Sequence, residues 1–329
     1  MRQLVVAILL LTLALALPGR AATSYGRDGP YAVETVDVVW TDAARQRALP
    51  LRVRLPGAPG ARPVVIFSHG LGGSIDGGRA WGERWASHGF VVIHLQHPGS
   101  DEAVWRGAEH PGQSLLGAAS LDQYLIRVAD VKFVLDELQR RHQNGDPLAS
   151  RTDLSRIGMS GHSFGALTTQ ALAGQRFDVP APARAAAAAL AEPRFRAFVA
   201  FSPSARSPQA ASQFATIARP FMSVTGTADG MVGLGLGVDP SLRRVPFEGM
   251  QGPGQYLVVL NGADHMLFNG APRRRDGADP KRDAAQTALV AEVTTAFWLA
   301  YLADDVAARG WLAGGAAAAI GSAGEFKRR

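Results

Sequence analysis

From residue 31 onward, short apolar runs alternate with amphipathic stretches, and no other feature of the chain restricts its fold so strongly. Continuous runs of about four to eight residues rich in Val, Ile and Phe fit strands buried on both faces. Such strands occur in parallel sheets covered by helices. Residues 31–40 and 49–55 read as an opening β-hairpin, with polar residues 41–46 between them. Further strands are expected at 63–68, 90–95, 156–160, 195–201, 220–225 and 256–260, and helices at 79–88, 121–141, 164–174 and 281–302. In the helix at 121–141, Leu125, Val128, Val131, Val134 or Leu135, and Leu138 recur at spacings of three and four, which predicts its buried face. Val290, Val293, Phe297 and Ala300 do the same for the last helix. The pattern predicts one α/β domain over residues 23–313, a mostly parallel eight-stranded sheet with helices on both faces. Residues 314–329, opened by a Gly and Ala run, predict a disordered tail.

The chain has 329 residues and no Cys, which excludes disulfides, thiolate metal sites, iron–sulfur clusters and a Cys nucleophile. Covalent catalysis would have to use oxygen, nitrogen or a carboxylate. The formal net charge is +6, but the Arg residues are scattered. The tight basic groups at 273–275 and 327–329 sit where a solvated loop and tail are expected, so no nucleic-acid surface is predicted. Residues 1–22 read as a signal peptide: a basic start at Arg2, an apolar stretch over 4–17, and small residues at 18–22. The apolar stretch is short of the roughly 20 residues of a membrane span. The expectation is a periplasmic or secreted protein with no stable membrane anchor.

Gly161-His162-Ser163-Phe164-Gly165 matches Gly-x-Ser-x-Gly, a pattern that chance alone would produce roughly 0.2 times in a chain of this composition. Its position is more telling. It follows an expected strand and opens an expected helix, the arrangement that exposes a strained serine above a sheet. A serine hydroxyl needs a base to take its proton, and only one His, His265, lies downstream of Ser163. Asp229 follows the strand at 220–225 and is the expected carboxylate, giving the chain order Ser, Asp, His. Asp264 is a rival but is adjacent to the base in sequence, and Asp239 and Glu248 lie in a long loop. Donors for a developing oxyanion are expected from the backbone amides of Phe164 and of Leu71, the latter in the Gly-rich loop after the strand at 63–68. Neither that loop nor the Gly-rich run at 233–237 has phosphate-cradling spacing. His94 and His97 have a metal-like spacing near Asp101, but no third clear ligand, so no metal is expected.

Several motifs resemble a known family. Ser-His-Gly-Leu-Gly-Gly at 68–73, His-Pro-Gly-Ser-Asp at 97–101, Arg-Val-Ala-Asp-Val-Lys-Phe-Val-Leu-Asp-Glu-Leu at 127–138, Arg-Ile-Gly-Met-Ser-Gly-His-Ser-Phe-Gly-Ala at 156–166, Val-Thr-Gly-Thr-Ala-Asp at 224–229 and Gly-Ala-Asp-His-Met-Leu-Phe at 262–268 are similar to the dienelactone-hydrolase-like group of α/β-hydrolases. That group includes plasma-type platelet-activating-factor acetylhydrolases and, more distantly, cutinase-like polyester hydrolases. The resemblance implies the α/β-hydrolase fold, Ser163, Asp229 and His265 as a catalytic triad, the Leu71 and Phe164 amides as an oxyanion hole, and no cofactor. The sequence departs from dienelactone hydrolases in lacking Cys, and from cutinase-like enzymes in having Phe201-Ser202-Pro203-Ser204 where they carry a Trp. The expected activity is hydrolysis of small-molecule or polymeric carboxylic esters. Residues 204–219 leave no room for a lid domain, so short acyl groups are favoured. Two alternatives remain: a polyester or phospholipid acetyl-ester hydrolase, and a hydrolase fold retained for binding without turnover.

Overall fold

The computed structural model describes residues 25–230, 238–271 and 279–329. The signal segment, the Gly-rich run at 233–237 and the basic group at 273–275 lie outside them. The opening hairpin is β1 (Val33–Asp42) and β2 (Arg47–Pro56). It is followed by β3 (Arg62–Ser68), α1 (Arg79–Ser87), β4 (Val91–Leu95), α2 (Pro111–Ala118), α3 (Leu121–Gln143) and β5 (Thr152–His162). Then come α4 (Phe164–Leu172), α5 (Arg184–Ala188), β6 (Phe195–Phe201), β7 (Phe221–Ala228), α6 (Val245–Gly249), β8 (Gln255–Asp264) and α7 (Pro280–Leu302). The chain ends in α8 (Val306–Ile320) and β9 (Gly324–Arg328). No helix among the described residues is long and apolar enough to cross a membrane.

The strands form one sheet in the order β1-β2-β4-β3-β5-β6-β7-β8-β9. From β4 to β8 neighbouring strands run parallel, while β1 with β2, β2 with β4, and β8 with β9 are antiparallel. Strand side chains alternate between two cores, as the period of two requires. Val65 and Phe67 of β3 face Trp81 and Trp85 of α1 together with α7 and α8, whereas Val64 and Ile66 face α3 and α4. This is the α/β-hydrolase fold. The order reverses at β3: the chain crosses to β4 on one side, then returns to β5 on the other. Ligands of open α/β sheets bind at the carboxyl ends of strands flanking such a reversal, here β3 and β5.

Three expectations need correction. Among the described residues the sheet has nine strands rather than eight, because the expected disordered tail is ordered: residues 314–320 complete α8 and residues 324–328 pair with β8 as an edge strand. Helix α8 buries Ala308, Leu312, Ala316 and Ile320 at intervals of four, a stripe that small residues disguise as low complexity. Phe326 then packs its ring 5.9 Å from that of Tyr256. In α3, Leu125 is 40% exposed, and the buried face instead includes Arg127 and Asp130.

Candidate active site

Ser163 stands between β5 and α4 with φ 56° and ψ −112°, a conformation that a non-glycine residue adopts only under constraint. The turn is tight enough to require glycine on both sides. A Cβ on Gly161 would collide with the Gly165 carbonyl, and one on Gly165 with the carbonyl of Ser68 in β3. The Ser163 N–H donates to Phe201 O across the sheet edge at 3.0 Å, fixing the turn.

Ser163, His265 and Asp229, each singled out in the sequence, come together in one hydrogen-bonded line. Ser163 Oγ lies 2.9 Å from His265 Nε2, and His265 Nδ1 lies 2.7 Å from Asp229 Oδ1. The other Asp229 oxygen accepts from Thr225 Oγ1 at 2.7 Å. Asp229 follows β7 and His265 follows β8, adjacent parallel strands, so the topology itself brings the two loops together. Burial increases along the line: Ser163 is half-buried, His265 is 7% exposed and Asp229 is fully enclosed. A carboxylate shielded from water holds its partner ring more firmly than an exposed one. With Nδ1–H directed to the carboxylate, Nε2 is left with a lone pair facing the hydroxyl. The arrangement can take a proton from Ser163.

The loop after β3 packs against this line: a Cβ on Gly70 would fall 3.4 Å from Ser163 Cβ. Leu71 follows directly. Phe164 opens α4, so its N–H is among the first-turn donors that lack a partner within the helix. Asp264 is occupied elsewhere, its Oδ1 accepting from the backbone N–H groups of Met266 and Leu267. Asp239 caps a short 3-10 helix at Pro240–Arg243. Glu248 lies in α6.

Sequence reasoning missed three residues around the line. His162 donates from Nε2 to His265 O at 2.9 Å, with ring centroids 4.7 Å apart, and so anchors the backbone of the His loop. Arg243, 3% exposed, donates to Ser202 O at 2.8 Å and to Asp229 O at 3.1 Å. It thereby ties the loop after β6 to the loop after β7. Arg127 on α3 lies behind the loop after β3. Arg243→Met is expected to lower the unfolding free energy by roughly 1–3 kcal/mol, because two carbonyls lose a charged donor. Urea unfolding checks this, and an unchanged midpoint would count against it.

His94 and His97 hold protein partners: His94 Nδ1 faces Gly77 O at 2.8 Å, and His97 lies between Ser68 Oγ and Asp130 Oδ2, each at 2.9 Å. Among the described residues no three His, Asp or Glu side chains gather as metal ligands.

Fold and site together define an α/β-hydrolase with a serine at the strand-to-helix turn. Residues 47–110, from β2 to the start of α2, match the family model described as platelet-activating factor acetylhydrolase, isoform II. That match supports, in general terms, a serine ester hydrolase. Among curated proteins, none matches the chain.

Proposed function

We propose that the protein is an exported serine hydrolase that cleaves carboxylic esters with short acyl groups through an acyl-enzyme. The observation that carries the reading is the continuous line from Ser163 Oγ through His265 to Asp229 at the head of a strained turn. Ser163 Oγ attacks the ester carbonyl carbon as its proton passes to His265 Nε2, and the charge moves to the carbonyl oxygen. The Leu71 and Phe164 amides donate to that oxygen. The C–O bond to the alcohol then breaks, and the alcohol leaves with the proton from His265. Water attacks the acyl-enzyme in the same way, releasing the acid and restoring Ser163. Asp229 keeps the ring oriented and stabilises its cationic form.

Short acyl groups fit the connection from β6 to β7, which holds only a short 3-10 helix, Pro208–Phe214, and no covering domain. The family match favours an acetyl ester among them. Rates on nitrophenyl acetate, butyrate and palmitate test the preference: acetate or butyrate is expected to exceed palmitate by at least about tenfold in kcat/KM, and the reverse order would overturn it. A fluorophosphonate probe tests the chemistry itself. Labelling of the purified protein that disappears in Ser163→Ala is expected. An unlabelled wild type would favour a binding protein.

A further inference from the structure

Arg127 sits on α3 with no exposed surface, in a stripe built, apart from Asp130, of Val and Leu. All three of its guanidinium nitrogens are spent on the loops after β3 and β4. Nη1 donates to His69 O at 2.7 Å and to Ser68 Oγ at 3.4 Å. Nε donates to Ser100 Oγ at 2.8 Å, and Nη2 to Gly70 O at 3.3 Å and Ser100 O at 3.4 Å. Its central carbon also lies 4.5 Å from the ring centroid of Phe164, which stacks on Tyr124 as well. Burial pulls Arg127 down to about 9, so it is still a cation at neutral pH, with Asp130 and Asp101 as nearby counter-charges.

The contact with Gly70 O matters most. In a planar trans peptide the C=O and the following N–H point in opposite directions. A cation on Gly70 O therefore turns the Leu71 N–H away from itself. Gly70 O also accepts from Gly73 N–H at 3.1 Å and from His69 Nδ1 at 2.6 Å, so this peptide is held entirely from its oxygen side. The same guanidinium braces the ring of Phe164, the other expected amide donor.

We infer that Arg127 is a positioning residue for the oxyanion hole, fixing the Gly70–Leu71 peptide by its oxygen and Phe164 by its ring so that both amides converge on the ester oxygen. The inference rests on the hydrolase reading above. A lysine keeps the charge but cannot span Ser68, His69, Gly70 and Ser100 at once. Arg127→Lys is therefore expected to lower kcat on nitrophenyl butyrate about 100-fold, the lower range for losing one oxyanion donor, with KM within about threefold. Affinity for a boronic-acid mimic of the tetrahedral intermediate should fall in step. The midpoint of the kcat/KM pH profile should not move, because Arg127 does not touch His265. A crystal structure of Arg127→Lys is expected to show the Gly70–Leu71 peptide turned. Unaltered kcat, a loss confined to KM, or an unmoved peptide would overturn the inference. Should Arg127→Lys fail to fold, Arg127→Gln, which drops the charge but keeps an amide donor on α3, takes its place in the same measurements. If the wild type hydrolyses no ester, the hydrolase reading fails by that result, and the position of the peptide alone decides the role of Arg127.

Discussion

Asp229→Asn is expected to lower kcat about 10⁴-fold on short esters, and Ser163→Ala about 10⁶-fold, with the thermal midpoint shifting by only a few degrees in either variant. The loss in the first case comes from the tautomer. In the wild type, the carboxylate accepts the His265 Nδ1 proton at 2.7 Å, so Nε2 is bare and faces Ser163 Oγ. An asparagine can present its NH₂ to Nδ1, which moves the ring proton to Nε2, where it faces the hydroxyl and can accept nothing. Arg243 adds to the effect. Its Nη2 lies 3.4 Å from His265 Nδ1, so once the carboxylate charge is gone it supplies a second donor that favours the bare Nδ1. Asn still fits the space, since Thr225 Oγ1 can pair with either side-chain atom, and the fold should persist. Steady-state rates with circular dichroism melts check both expectations. A variant Asp229→Asn that keeps more than about a tenth of the wild-type kcat, alongside an inactive Asp264→Asn, would move the acid to Asp264.

Much of this was legible in the sequence because it depends on local rules. Alternating apolar runs fix strand and helix order, and the glycines around Ser163 mark a turn in which a Cβ has no room. Only one His lies downstream, which reduces the choice of base to His265. What escaped is buried charge. Arg127 and Asp130 occupy a core stripe, and periodicity assigns such stripes to apolar residues only. Their burial is tolerated through partners far away in the chain: Arg45 and Arg47 in the opening hairpin, His97 after β4, and the carbonyls after β3. None of those pairings leaves a trace in local spacing. Arg243 is hidden for the same reason, since its acceptors, Ser202 O and Asp229 O, are backbone atoms. The ordered tail escaped because alanine at intervals of four carries little hydrophobic contrast, and because Lys327 and Arg328 on an edge strand read as a solvated terminus.

The protein is expected to lose stability between about pH 6.5 and 4, above the range in which most carboxylates titrate. Four buried His residues, 69, 94, 97 and 162, each have a neutral form dictated by their partners. His69 donates from Nδ1 to Gly70 O and accepts the His97 N–H at Nε2. His97 donates from Nδ1 to Asp130 and accepts from Ser68 Oγ at Nε2. His94 and His162 each use one nitrogen on a carbonyl, Gly77 O and His265 O, and leave the other buried without a partner. A further proton would therefore enter either an acceptor already in use or an enclosed site beside Gly82 or Gly70. Burial holds all four below the ordinary imidazole value, and in His97, with Arg127 as the second cause, the value falls to about 4. The unfolded chain binds these protons near pH 6.5, and the folded chain binds them only at lower pH. Stability is thus fully present above about pH 6.5 and declines as the pH falls through this window, His97 alone contributing on the order of 3 kcal/mol. Urea unfolding at pH 7.5, 6, 5 and 4.5 reads this directly, as a falling midpoint at nearly constant m. A midpoint that stays level down to pH 5 would mean that the rings find partners for the extra proton, and that the neutral network behind the loop after β3 is not what holds it in place.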